Sequence, residues 1–331
     1  MIRRFFSKFL YFSCYYGMIS FSQPKSMIEK SKINVNWKVI GHAQQKLYLE
    51  SAFFGNRLTH SYLFSGPPHV GKTALALDFA RLLNCENGNL CGKCLACVNP
   101  VEIFSELIVI DKDTEIKIDE IRSLKRDLAL KPLSGQKKVA IIANAENLNR
   151  ESANSLLKFL EEPQKDNFFI LTTAAVGFLP QTIVSRVQKI NFSPNSKQET
   201  EKHLNSLDIS KAITKQVLEL APNKIGLANI LSKNIEELER WRQQDMELDD
   251  LFSQSVFERM QYTSQISKLE TQQIVNIFKT WLILSESRLR QTKQKDMKAQ
   301  TDFIKALNTA LMHFKSNLNK RLVLDNFVLS F

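Results

Sequence analysis

The sequence predicts an α/β domain on a mainly parallel sheet, followed by a small helical unit and an all-helical C-terminal region. Three observations carry this. Short β-rich runs alternate with helical patterns up to about residue 192, the order that gives parallel strands with ligands at their carboxyl ends. Gly66-Pro67-Pro68-His69-Val70-Gly71-Lys72-Thr73 matches the phosphate-binding pattern G-x-x-x-x-G-K-[ST] between a strand and a helix. Beyond the polar run 193–197, the remaining patterns are helical.

Each element follows from local composition. Ser61-Tyr62-Leu63-Phe64-Ser65 reads as a short buried strand, and Ala76, Phe79, Ala80 and Leu83 place a helix after Thr73. Runs 107–111, 138–143, 168–173 and 187–192 read as further strands. Between them, Ala153, Leu156, Leu157 and Leu160 share one helix face, with Asn149 as the cap and Pro163 as the stop. Residues 197–232 make a small helical unit around Pro222-Asn223-Lys224-Ile225-Gly226, and the charged stretch 234–250 reads as a link. In the last domain Ile274, Ile277, Phe278 and Trp281 form one stripe; Phe303, Ala306, Leu307, Ala310, Leu311 and Phe314 form another. These stripes read as bundle core, with some surface left for subunit packing. Arg288, Arg290, Lys293, Lys295 and Lys298 read as a solvated loop, with phosphate contact as the alternative.

A length of 331 residues implies two or three domains. The net charge of +11 favours acidic partners such as nucleic acid. No apolar run is long enough to span a membrane as a helix. Residues 1–26 stand apart: Arg3-Arg4 and an aromatic-rich stretch imitate an export signal, but Lys8 interrupts the apolar run and no A-x-A-like cleavage site follows. They are expected to be a disordered leader or a mis-assigned start, with Met1, Met18 and Met27 as the candidate first residues.

The phosphate loop defines the chemistry. Its glycines let successive N–H groups face phosphate oxygens, Lys72 reaches the terminal phosphates, and the Thr73 hydroxyl suits Mg²⁺. The next helix adds a favourable field for anions. A hydrolysing enzyme also needs a carboxylate at the end of a second strand. Here Val139-Ala140-Ile141-Ile142 runs into Ala143 and Asn144, with Glu146 two residues further on in an expected loop. The chain can therefore grip a nucleotide without being able to cleave it; ATP with Mg²⁺ is the candidate, and whether the loop binds it is left open by the sequence.

Cys85, Cys91, Cys94 and Cys97 form a C-x5-C-x2-C-x2-C cluster. Four thiolates complete a closed tetrahedral Zn²⁺ site, structural rather than catalytic. Two disulfides or an iron–sulfur cluster are the alternatives.

Several stretches together carry a family likeness. They are Val39-Ile40-Gly41-His42, the phosphate loop, the cysteine insertion after its helix, Lys131-Pro132-Leu133-Ser134-Gly135, the run Ala153-Asn154-Ser155-Leu156-Leu157-Lys158-Phe159-Leu160-Glu161-Glu162-Pro163, Thr172-Thr173, Ile183-Val184-Ser185-Arg186 and Asn317-Leu318-Asn319-Lys320-Arg321-Leu322. From about Trp37 onward the chain resembles the delta-prime branch of the bacterial DNA polymerase III clamp-loader subunits, which are AAA+ P-loop proteins. The resemblance implies an AAA+ domain over 27–193 with the cysteine insertion at 85–97, a helical lid over 194–235 and a collar over 240–331. It also implies a trans-acting arginine finger at Arg186, the alternative being a surface ion pair. Ala143 and Asn144 replace the family's acidic pair, and Gly226 stands where motor subunits carry a lid arginine. The implied protein is a cytoplasmic subunit without ATPase activity of its own. It joins gamma/tau-like motors and a delta-like wrench in a hetero-pentameric ring, which places a sliding clamp on primer-template DNA.

Overall fold

Among the described residues, β1 (Ser61–Ser65), β2 (Leu107–Asp111), β3 (Lys138–Ala143), β4 (Asn167–Thr173) and β5 (Gln188–Asn191) pair in parallel in the order β2-β3-β4-β1-β5. The computed structural model describes residues 34–101, 103–130, 132, 137–164, 166–290, 297–316 and 318–331. The leader 1–26 with its candidate starts, most of the motif 131–135, Lys293, Lys295 and Asn317 lie outside these residues.

Strand alternation explains the layers. Tyr62 and Phe64, Val139 and Ile141, and Phe168 and Ile170 enter one core; Leu63, Ala140, Ile142, Phe169 and Leu171 enter another. A period of two with both faces apolar requires cover on both sides of the sheet. On the first face lie α1 (Ala43–Phe54), α2 (Lys72–Leu83) and the short α3 (Leu95–Val98). On the second lie α4 (Ile118–Ala129), α5 (Arg150–Glu161) and the short α6 (Gln181–Val184). Asn149 caps α5 as expected, accepting the Ser152 N–H at 2.8 Å. The fold is that of an AAA+ P-loop domain followed by helices.

The segment expected to be the lid forms α7 (Lys197–Asn205), α8 (Lys211–Leu220) and α9 (Ile225–Lys233). Next come α10 (Ile235–Ser253), α11 (Val256–Ile266), α12 (Thr271–Leu289), α13 (Met297–Lys315) and α14 (Lys320–Val328). Lid and later helices contribute to one core, in which Leu204, Leu227 and Trp241 join Phe278, Trp281, Phe303 and Phe327. Both expected stripes enter it, with Ile277 and Leu311 only partly buried.

Two readings are corrected here. The charged stretch 234–250 is not a link but most of α10, whose Leu238, Trp241, Leu248 and Leu251 are buried. Asn234 caps it at the Glu237 N–H, and Glu236 and Glu237 complement its positive end. Arg288 is not in a loop either: it lies on α12 and bonds Asp245 and Asp249 of α10, both at 2.5 Å.

Candidate nucleotide site

The phosphate loop leaves the carboxyl end of β1, where the strand order reverses, the usual place for a ligand crevice in such a sheet. Its start is pinned by the Gly66 N–H to the Thr173 carbonyl, 3.2 Å. Gly66 (φ 155°) must be glycine because a Cβ there would collide with the Phe192 carbonyl oxygen. Gly71 (φ 104°) leads into α2 in a left-handed conformation that glycine adopts without strain.

Lys72 is almost fully buried, and its ammonium donates to the Gly66 carbonyl at 2.8 Å and the Pro67 carbonyl at 2.7 Å. An ammonium has three donors, so the arch of the loop fixes the side chain and leaves one N–H for a phosphate oxygen. Burial pulls the Lys72 pKa down to about 8, against the opposing pull of the Glu146 carboxylate. The Thr73 hydroxyl lies 3.5 Å from that of Thr172, at the end of β4. A threonine hydroxyl, a lysine donor and the N–H groups at the start of a helix suit a triphosphate with Mg²⁺, so the residues present fit that ligand.

Sequence reasoning left the surroundings of the loop unassigned. His42 follows Gly41 in a left-handed turn (φ 56° and 73°), and its Nε2 lies 2.6 Å from the Val70 carbonyl. The Lys38 and Val39 N–H groups donate to Asp78 of α2 at 2.8 and 3.0 Å. The stretch from Lys38 to His42 is thereby held against the loop. On the other side the Gly226 N–H donates to the His69 carbonyl at 2.8 Å, so the lid touches the loop directly.

The end of β3 is as expected in composition. Ala143 is buried, and Asn144 turns left-handed (φ 52°) so that its amide donates to Asp111 and Asp113, each at 3.3 Å. Glu146 differs from its expected place in a loop. It lies in a single helical turn, Ala145–Asn147, and its Oε1 accepts the Ala174 N–H at 3.1 Å, just beyond β4. Its charge acts on the loop lysine from two residues past the customary positions.

Arg186 lies between α6 and β5, on the far side of the sheet from its own phosphate loop along the strand direction. β5 begins at Gln188, level with Tyr62 near the start of β1, whereas the loop follows Ser65, level with Asn191. At about 3.3 Å per residue, even Gln188 is roughly 10 Å back along the strand from that level. The guanidinium pairs with Glu161 (Nε 2.7 Å, Nη2 2.6 Å) and donates to the Thr182 carbonyl at 2.9 Å. The ion pair weighed as the alternative is therefore formed, with both side chains a third or more exposed. Exposed pairs are worth about 0–1 kcal/mol, so the arginine leaves this one at little cost.

The four cysteines gather as their spacing suggests. Their sulfurs all lie within 4.8 Å of one another, and three of the four residues are buried. The Cys91 N–H points to Cys85 Sγ at 3.5 Å and the Cys94 N–H to Cys91 Sγ at 3.4 Å, the turn geometry of closely spaced thiolate ligands. A tetrahedral zinc with bonds near 2.3 Å would need sulfurs roughly 3.8 Å apart, so the set fits a closed metal site after a small contraction. None of the four sulfurs is bonded to another.

Fold and loop define a P-loop protein of the AAA+ kind. A family model described as DNA polymerase III, delta subunit, matches residues 41–196. Subunit tau/gamma of DNA polymerase III from Haemophilus influenzae is 37% identical over 170 residues, 50% of this chain and 25% of that protein. Subunit delta' from Bacillus subtilis is 32% identical over 209 residues, 61% of this chain and 63% of that protein. The crystal structure of a DNA polymerase III gamma subunit-related protein from Thermotoga maritima aligns at 18% identity with a TM-score of 0.46, covering 85% of this chain and 97% of that one. The chain is similar to subunits of DNA polymerase III, and delta', tau and gamma relatives all match it. It spans less than two thirds of the length of these curated relatives.

Proposed function

We propose that the chain is a delta-prime-like subunit that holds a nucleotide without hydrolysing it and lends Arg186 to the ATP of a neighbouring subunit. One observation carries this reading. Arg186 lies on the edge of the sheet turned away from its own phosphate loop, so any phosphate it serves belongs to another molecule. In other phosphoryl-transfer systems a trans arginine contributes about 10³–10⁵ in rate by stabilising charge that develops in the transition state. Ala143 and Asn144 support the second half of the reading, since neither offers a carboxylate to Mg²⁺ or to water. ATP, when bound with Mg²⁺, would supply an ordering ligand for the loop. Lys72 and Thr73 would hold it, and the lid contact at Gly226 would report its presence.

The partners in this reading are gamma/tau-like motors and a delta-like subunit in a hetero-pentameric ring, joined through α10–α14. The ring acts on a sliding clamp and primer-template DNA in the cytoplasm. Zinc at Cys85, Cys91, Cys94 and Cys97 is structural. A second reading, an active gamma/tau-like ATPase, draws support from the electrostatic pull of the Glu146 carboxylate on Lys72. Reconstitution separates the proposal from a stand-alone P-loop enzyme. The chain mixed with tau/gamma-type and delta-type subunits should elute as one complex that loads clamps, and failure to assemble would count against the whole proposal.

A further inference from the structure

Asn36 ties the cysteine insertion to the strip of chain that borders the phosphate loop. Its N–H donates to the Asn89 carbonyl at 3.0 Å, and the Asn89 N–H in turn is directed at the Cys85 sulfur. Asn89 therefore meets a candidate metal ligand on one side and the strip 35–42 on the other. Val35 is buried in the same core as Cys85, Cys94 and Cys97. Further along the strip, Asp78 holds the Lys38 and Val39 N–H groups, and His42 meets the Val70 carbonyl. Residues 35–42 run from the thiols to the phosphate loop.

A second route joins the same two places. α2 begins at Lys72 and ends at Leu83, two residues before Cys85, and its 12 residues span about 18 Å at 1.5 Å per residue. Asp78 of α2 is where the two routes meet. The backbone of the insertion is itself constrained. Leu90 is left-handed (φ 56°) between Gly88 (φ 61°) and Gly92 (φ 71°). A bulky residue keeps that conformation only where its surroundings impose it. The peptide that Leu90 shares with Asn89 carries the carbonyl that receives Asn36. Four thiolates drawn onto one ion would impose it, because binding energy at such a site is folding energy. Without the ion, Leu90 is free to relax and turn that carbonyl away.

We propose that metal at the four cysteines and nucleotide at the phosphate loop bind cooperatively, with Asn36 as the positioning residue that couples them. The metal fixes the Asn89 carbonyl, the carbonyl holds Asn36, and the strip from Asn36 to His42 keeps the edge of the loop in place. Linkage is reciprocal, so nucleotide retains metal by the factor with which metal tightens nucleotide. The inference rests on reading the cysteines as a zinc site and the loop as a nucleotide site.

Zinc transfer from the full zinc-loaded chain to a chromophoric chelator, with and without Mg-ATP, tests it on wild type, Lys72→Ala and Asn36→Pro. Zinc content by atomic emission and calorimetry with Mg-ATP are measured on the same proteins. Proline at 36 removes the donating N–H, and the Asn36 side chain that it replaces is exposed. Mg-ATP should raise the zinc affinity of wild type about two- to tenfold, the range that one hydrogen bond can carry. Lys72→Ala should show no such retention, which separates the effect from chelation of zinc by ATP itself. Asn36→Pro should keep its zinc, bind Mg-ATP more weakly by the same factor, and lose the retention. Equal zinc affinity in wild type with and without Mg-ATP would overturn the coupling, and retention that persists in Asn36→Pro would overturn the role of Asn36. If Asn36→Pro does not fold, wild type against Lys72→Ala decides alone, and equal retention in the two overturns the proposal. Wild type without zinc means that the metal reading fails; no heat with Mg-ATP means that the nucleotide reading fails. The inference falls with either.

Discussion

Replacing Gly226 with alanine tests the lid contact without touching any charged group. The glycine has no left-handed backbone to protect, so the requirement is for space alone. A Cβ would lie 2.6 Å from the His69 carbonyl oxygen and 3.1 Å from the carbonyl carbon, both backbone atoms that cannot swing aside. Ordinary contact begins near 3.4 Å, so the lid must withdraw by most of an ångström. Withdrawal loses the 2.8 Å bond from the Gly226 N–H, worth about 0.5–1.5 kcal/mol net. Overpacking adds about 1–3 kcal/mol, offset by up to ~1 kcal/mol of helix propensity. The lid contact should therefore weaken by about 2–2.5 kcal/mol, taking the middle of these ranges. Hydrogen exchange read by mass spectrometry should show faster exchange at the start of α9 and in the phosphate loop, roughly thirty- to seventyfold for such an energy. Gly177→Ala, where a Cβ meets nothing within 4 Å, is the control and should leave exchange unchanged. Equal protection in Gly226→Ala and wild type would refute the contact as the element that closes the lid.

Three further outcomes follow from the same geometry. The chain should carry one zinc, measurable by atomic emission, and lose it in Cys94→Ser. Chelation should lower the melting temperature and open 85–97, since structural zinc can supply about 10–16 kcal/mol to a small site, and a metal-free protein with an unchanged melt would contradict this. The folded Lys72 pKa of about 8 lies below the ordinary 10.5, so between these values the unfolded chain holds a proton that the folded chain has released. Stability at this residue therefore rises with pH across that window. Denaturant midpoints of wild type should gain on those of Lys72→Met from pH 8 to 10.5, and parallel curves would sink the assignment. Phe278 packs against Trp281, Phe314 and Phe327 with ring centroids 4.7–5.8 Å apart. Phe278→Ala should cost about 3–5 kcal/mol, read from urea unfolding, and a loss below ~1 kcal/mol would mean that the shared helical core is not built as described.

The limits of the sequence reading have physical causes. Strands β1, β2 and β3 were legible because their apolar runs are short and uninterrupted, and β5 proved shorter than its run 187–192. The cap at Asn149 and the gathering of the four thiols were legible because both depend on local spacing. The place of α10 in the shared core was not, because Glu, Asp, Arg and Gln dominate it and only Leu238, Trp241, Leu248 and Leu251 are buried. The approach of Glu146 depends on the left-handed turn at Asn144, which gave no signal beyond the residue type. The Arg186–Glu161 and Lys224–Glu286 pairs join residues 25 and 62 positions apart, and such partners become visible only once helices pack.

The role of this chain beside a hydrolysing neighbour is tested most directly by steady-state ATP turnover. The chain should be measured alone, with a tau/gamma-type subunit, and again with Arg186→Ala in the same complex. The account predicts no turnover by the chain alone, stimulated turnover in the complex, and loss of that stimulation with the alanine variant. Sustained phosphate release by the solitary chain, or full stimulation without the guanidinium, would contradict it.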